Sequence, residues 1–166
     1  MAAFISVSSF ISLLLTISVN AQAPIDFSGH WGAQTSSGAR RELDIEQNGQ
    51  SLVVKTIVTN SQEANSVGTN SQGKNSQGSR QMEVKYVIGG AETSYTGLDG
   101  DEFRTSVRWD GSTLVFDTVE HEDGRDIPER AVWALVENRN ALQVARQSGK
   151  TTKTSQTLIR YVRQPN

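Results

Sequence analysis

Apolar and polar residues alternate through most of the chain in runs of seven to ten residues between short turn signals. Those signals are Asn48-Gly49, Gly89-Gly90, Asp99-Gly100, Asp110-Gly111, Asp123-Gly124 and Ser148-Gly149. A period of two puts alternate side chains on opposite faces, which predicts half-buried β-strands. Asn-Gly and Asp-Gly suit two-residue hairpin loops, because the central positions need φ > 0. Repeated hairpins make a meander, and a long meander must close or stack to hide its edges. The pattern therefore predicts an all-β fold, an up-and-down antiparallel β-barrel of about eight to ten strands.

A two-residue loop pairs residues whose numbers have a fixed sum, so the register can be written down. Across Asp110-Gly111, Val107 is expected opposite Leu114, and Thr105 opposite Phe116. Across Asp123-Gly124, Leu114 faces Trp133 and Phe116 faces Ala131. With Glu137 to Asn140 as a four-residue loop, Leu135 meets Leu142 and Trp133 meets Val144. One continuous inner face results, running from Phe103, Val107 and Trp109 to Leu142 and Val144, while Arg104, Arg108, Asp117 and Arg130 point outward. Across Asn48-Gly49 the same rule sets Ile45 against Leu52 and Leu43 against Val54. Across Gly89-Gly90 it sets Tyr86 against Thr93 and Val84 against Tyr95. At Asp99-Gly100 a two-residue loop would put Tyr95 and Phe103 on opposite faces, so a longer loop or a bulge is expected there.

Residues 1–21 stand apart from this alternation. Phe10 to Val19 is apolar but too short to span a bilayer, and small residues follow, the layout of a secretory signal peptide cut after Ala21. Residues 22–166 then form a single barrel domain that is secreted or periplasmic. Residues 60–79 read NSQEA, NSVGT, NSQGK, NSQGS, a tandem repeat with Asn60, Asn65, Asn70 and Asn75 in register. Val67 is its one large apolar residue, so it is expected to be a disordered loop.

The chain has no cysteine, which removes disulfides, thiolate metal sites and cysteine nucleophiles from consideration. A net charge of −2 gives no reason to expect nucleic acid or an anionic membrane as partner. Acids concentrate between Asp99 and Asp126 and bases after Ile127, which fits complementary outer faces on neighbouring strands. There is no Gly-x-Ser-x-Gly elbow, no His-Glu-x-x-His and no phosphate-cradling glycine loop. No cofactor or resident metal is expected. His30 and His121 fall toward opposite ends of the barrel, and the acidic mouth, with Asp99, Asp101 and Glu102 and with Glu120, His121, Glu122, Asp123 and Asp126 nearby, matches no EF-hand spacing.

Phe27-Ser28-Gly29-His30-Trp31 opens the first strand, Trp109-Asp110-Gly111-Ser112-Thr113-Leu114-Val115 forms the central hairpin, and Tyr161-Val162-Arg163 closes the last strand. In these motifs the chain resembles small secreted bacterial lipocalin-like domains of the calycin type, which open with Ser-Gly-x-Trp. The resemblance implies a structural motif of Gly29, Trp31 and Arg163, with the Arg packed over the Trp ring at the closed base and Arg160 as the fallback. The Thr-Asp-Tyr motif of true lipocalins is absent. Arg160 and Tyr161 are adjacent, hence on opposite faces, so the Arg-x-Tyr carboxylate grip of the fatty-acid-binding proteins is not inherited.

Strand alternation places the short turns at the Trp31 end and the loops 60–79, 98–101, 121–126 and 148–154 at the other, which is the expected mouth. Inward positions near it become polar: Thr118, Glu129 and Arg146. A cavity there would bind a small apolar or amphipathic molecule through Phe103, Val107, Trp109, Phe116, Trp133 and Val144, with Glu129 and Arg146 orienting a polar head. The competing reading is a barrel filled by its own side chains, with Glu129 and Arg146 pairing at the rim. The functional expectation is thus a secreted, non-enzymatic binding barrel. The alternatives are a protein-interaction barrel, such as an inhibitor of extracellular enzymes, and a cavity enzyme whose sole candidate base is Glu129.

Overall fold

A computed structural model describes residues 25–34, 38–59, 79–149 and 155–165. The 1–21 leader and, apart from Ser79, the 60–79 repeat lie outside these residues. Among the described residues there are ten strands and no helix: β1 Gly29–Gln34, β2 Arg40–Asn48, β3 Ser51–Thr59, β4 Ser79–Val87, β5 Thr93–Thr96, β6 Glu102–Asp110, β7 Thr113–Glu122, β8 Arg125–Val136, β9 Ala141–Ser148 and β10 Ser155–Arg163. They form one antiparallel sheet in the order β4-β3-β2-β1-β10-β9-β8-β7-β6-β5. Because β1 pairs with β10, with Trp31 opposite Arg163, the meander rolls up into a nearly closed barrel.

The expected register holds at two hairpins and shifts by two residues at two others. Leu114 faces Trp133 across the Asp123-Gly124 turn, and Trp133 faces Val144 across the four-residue loop 137–140. At the central hairpin, however, Trp109 faces Leu114 and Val107 faces Phe116, and near the start Gln47 faces Leu52 and Ile45 faces Val54. Asp110 and Asn48 remain in their strands, and the loops are Gly111-Ser112 and Gly49-Gln50. Gly111 and Gly49 have φ of 58° and 59° while the residues after them do not have positive φ, the pattern of a type II′ turn. A shift of two preserves the face of every side chain, so the inner set is unchanged.

The expected hairpin at Gly89-Gly90 does not form. Strands β4 and β5 share no ladder, and the barrel has a seam between them. The chain leaves β4 through Ile88, whose N–H donates to the Gln50 carbonyl at 2.8 Å, and Gly89 N–H then donates to the Val107 carbonyl at 2.7 Å. These bonds carry the chain onto β6 and take the Ile88 donor that a hairpin ladder would use, while Gly90 N–H closes a turn on the Val87 carbonyl at 3.0 Å. The next junction is a longer loop, as expected: Tyr95 faces Phe103 and Thr96 faces Glu102, leaving 97–101 to turn the chain. The two rings stack at 5.4 Å.

The base is the solid part of the barrel. Phe27, Trp31, Leu52, Ile88, Leu114 and Leu142 are all fully buried. The segment before β1 plugs this end through Gln47, whose amide accepts from Phe27 N–H and donates to the Ile25 carbonyl, both at 3.0 Å. Trp31 Nε1 donates to the Phe27 carbonyl at 3.1 Å, and the Arg163 Cζ lies 4.2 Å from the Trp31 ring centroid. Arg163 Nη1 also donates to the Ser28 carbonyl at 3.0 Å. Gly29 has φ 143°, and a Cβ there would collide with the Arg163 guanidinium. Arg163→Ala should therefore destabilise the fold by roughly 1–3 kcal/mol in urea unfolding, and Gly29→Ala by a comparable amount through backbone strain and displacement of the Arg.

Candidate functional site

The same alternation that fills the base leaves the other half hollow. Inner positions there are short or slender, among them Thr56, Val58, Met82, Thr105, Thr118 and Ala131, and they surround a cavity of about 340 Å³. That volume lies within the range of small-molecule sites. Phe103, Phe116, Trp133 and Val144 supply its apolar wall, and Glu129 and Arg146 line it as well. Phe116 and Trp133 pack with ring centroids 4.5 Å apart. Val107 and Trp109 do not reach the cavity. Val107 is 2% exposed, and Trp109 packs on the plug residue Phe27 at 6.0 Å. They sit lower on β6, where the barrel is filled.

Polar groups enter the cavity from two sides. On one side, Glu129 of β8 accepts from Arg146 of β9 through Nε at 3.0 Å and Nη2 at 2.5 Å, both bonds falling on Oε1. Beside them stand Tyr161 of β10 and Arg41 of β2. Burial pushes the Tyr161 phenol above its ordinary range, and the Arg41 and Arg146 guanidiniums partly offset that. Arg41 is hydrogen-bonded to Tyr161, yet its buried Nε finds no partner. Arg80 of β4 also lines the space and donates from Nη1 to the Leu98 carbonyl at 3.0 Å, tying the 97–101 loop across the seam.

On the other side, four hydroxyls line the wall. Tyr86 is hydrogen-bonded to Tyr95, the Tyr95 hydroxyl lies 3.3 Å from Thr105 Oγ1, and Thr105 Oγ1 lies 2.9 Å from Thr118 Oγ1. Tyr86 and Thr105 are 7% and 1% exposed, so this is an interior network. Thr118 is the cross-strand neighbour of Glu129, which brings the two polar sides together.

At the mouth, Asp99 and Asp101 of the 97–101 loop approach Glu120 of β7, with carboxylate oxygens within 4.8 Å of one another. Glu120 is buried while Asp99 is exposed. His121 pairs with Asp126 on the outer face, and His30 pairs with Asp44 between β1 and β2, so the two histidines are held at separate places.

Sequence reasoning missed Arg41, Arg80, Tyr161 and the tyrosine hydroxyls. Arg41 carried a readable signal, since Arg41, Leu43 and Ile45 share one face of β2 and a charge on an apolar face is unusual. Arg80 follows the repeat, where no turn anchors the register, and the Tyr86–Tyr95 contact spans a seam that the pattern read as a hairpin.

No family model and no curated protein matches the chain. Solved structures do match in fold: a protein described as the REP1-NXSQ fatty acid transporter, at 14% identity and a TM-score of 0.59, covering 84% of this chain and 97% of that one. Secretory abundant heat soluble protein 4 from Ramazzottius varieornatus matches at 11% identity and a TM-score of 0.55, covering 84% and 95%. Echinococcus granulosus fatty-acid-binding protein 1 matches at 12% identity and a TM-score of 0.55, covering 84% and 98%. The chain thus shares the up-and-down β-barrel fold of these proteins.

Tyr86 is pushed far above its ordinary value of 10.0, first by burial and then by Tyr95. A raised folded-state pKa means that this phenol's contribution is complete below pH 10 and is lost as pH rises, because the unfolded chain ionises first. Between pH 10 and 12, unfolding free energy should fall more steeply in the wild type than in Tyr86→Phe, by about 1.4 kcal/mol per pH unit. Denaturant midpoints measured across that range check it.

Proposed function

We propose that the protein is an exported carrier of small amphipathic acids, which seat their apolar part among Phe103, Phe116, Trp133 and Val144 and their anionic head beside Arg41, Tyr161 and Arg146. The observation that carries this reading is a cavity that holds the guanidiniums of Arg41, Arg80 and Arg146 against the carboxylates of Glu129 and Asp99, with the buried Arg41 Nε left without an acceptor. A buried donor left unpaired costs roughly 1–3 kcal/mol, and more beside a charge, which a carboxylate oxygen would remove. The apolar wall supplies most of the binding free energy, at about 25 cal/mol per Å² of apolar surface covered. The barrel neighbours described as fatty-acid-binding or fatty-acid-transporting proteins support the same ligand class. Within this reading Glu129 orients Arg146 and keeps it from collapsing onto the head group's place beside Arg41.

Displacement of a fluorescent hydrophobic probe tests the proposal. A medium-chain acid should displace it saturably, and better than the alcohol or amine of the same length. Arg41→Gln should weaken the acid roughly tenfold or more, the value of a hydrogen bond to a charged group. Ala131→Phe, which fills the cavity, should abolish displacement while the far-UV spectrum remains that of a barrel. Equal displacement by acid, alcohol and amine, or none by any of them, overturns the proposal. Export rests on the Phe10–Val19 segment and the small residues after it. N-terminal sequencing of protein recovered outside the cytoplasm should begin at Gln22, and an intact Met1 would reject that cleavage.

A further inference from the structure

The four interior hydroxyls cannot satisfy one another. Each of Tyr86, Tyr95, Thr105 and Thr118 carries one O–H donor, and three links among four hydroxyls use three donors. One O–H is therefore left without an acceptor inside the network. Either oxygen can donate at the Tyr95–Thr105 and Thr105–Thr118 contacts, and Thr118 is the member of the network that stands opposite a carboxylate, Glu129, in the β7–β8 ladder. A carboxylate draws an O–H more strongly than a neutral hydroxyl does, which favours Thr118 as the spare donor.

Its surroundings are specific. Thr118 is directly opposite Glu129 in the β7–β8 ladder, and both line the cavity. Both Arg146 bonds to Glu129 fall on Oε1, so Oε2 takes no part in that pair. A hydroxyl donor and a carboxylate acceptor thus stand side by side on the cavity wall, next to the guanidinium cluster yet distinct from it. A carboxylate head would be repelled by Glu129, and a methylene chain would leave both groups unpaired at a cost. An alcohol both accepts and donates one hydrogen bond, and it matches the pair.

We infer that Thr118 and Glu129 form a second polar subsite in the cavity, one that selects an amphipathic acid bearing a hydroxyl group over the same acid without it. The inference rests on the proposed carrier function and adds to it the class of ligand. Tyr95 and Thr105 are positioning residues here, because their contacts at 3.3 and 2.9 Å hold Thr118 Oγ1 in place and they do not touch the ligand's hydroxyl.

The experiment is probe displacement with acids of one chain length: unsubstituted, mid-chain hydroxylated and terminally hydroxylated. At least one hydroxylated acid should bind roughly tenfold more tightly than the unsubstituted one, the value of one or two well-made hydrogen bonds in a buried site. In Thr118→Val, which keeps the shape and removes the hydroxyl, the ratio of the two dissociation constants should collapse toward one. In Tyr95→Phe it should fall part of the way, because the chain is cut but Thr118 remains. Saturable binding of every acid with no hydroxyl preference in the wild type overturns this inference alone. Displacement by none of them overturns the carrier proposal instead. A wild-type preference that persists undiminished in both variants overturns the placement at Thr118, and Tyr95→Phe serves that purpose should Thr118→Val fail to fold.

Discussion

The pairing of β1 with β10 is the constraint from which the rest of the molecule follows. It brings Trp31 beside Arg163 and converts ten strands into a tube with one interior. Once the tube is closed, every inward side chain competes for one volume, and position along the barrel axis decides the outcome. At the base, Trp31 and Phe27 are large enough, with Leu52, Ile88, Leu114 and Leu142, to leave no space. Arg163 closes this end without being buried in hydrocarbon, since its guanidinium lies on the indole face and bonds the Ser28 carbonyl. Toward the mouth the same inward positions carry threonines, Ala131 and Met82, and the space they leave is the cavity. Solid base and hollow top are one gradient of side-chain volume along strands of uniform backbone.

The electrostatics of the cavity depend on the same closure. Arg41 comes from β2, Tyr161 from β10 and Arg146 from β9, all near the point where the sheet is sewn shut. Guanidiniums in a partly dry volume are tolerated where carboxylates or phenols answer them. Glu129 answers Arg146, while Tyr161 answers Arg41 only in part. In the proposed carrier, this asymmetry, rather than the number of charges, is what favours an anion in the cavity.

Much of this architecture was legible in the sequence, and the limits have identifiable causes. Alternation was sufficient to assign the inner face from Phe103 to Val144, because a register error of two leaves every side chain on its face, and errors of two are the ones that occurred. The type II′ turns at Gly49 and Gly111 were misjudged by one residue because Asn-Gly and Asp-Gly serve equally well with the polar residue inside the loop or at the strand end. Glu129, Arg146, Phe116 and Trp133 could be placed at the cavity because they belong to the long, tightly linked meander β6–β9. Val107 and Trp109 were included with them because periodicity identifies a face and says nothing about height along the axis. Arg41 and Tyr161 meet across β1, a contact that depends on barrel closure and its stagger, which no local pattern encodes.

The seam between β4 and β5 shows how the closed tube and the cavity chemistry are joined. At the base it is held by backbone, through Gly89 N–H and the Val107 carbonyl. At the cavity it is held by side chains, with Tyr86 edge-on to Tyr95 at 6.1 Å and hydrogen-bonded to it, Thr93 Oγ1 donating to the Lys85 carbonyl at 3.3 Å, and Arg80 reaching the Leu98 carbonyl. A ladder would have made this wall as stiff as its neighbours. Side-chain bonds are fewer and give way singly, so this wall is held less tightly than a laddered one. The Tyr86–Tyr95 bond is also the first link of the hydroxyl chain that ends at Thr118. Parting the seam would break the network at Tyr86 and leave the Tyr95–Thr105–Thr118 contacts in place, because these lie within the β5–β6–β7 ladder.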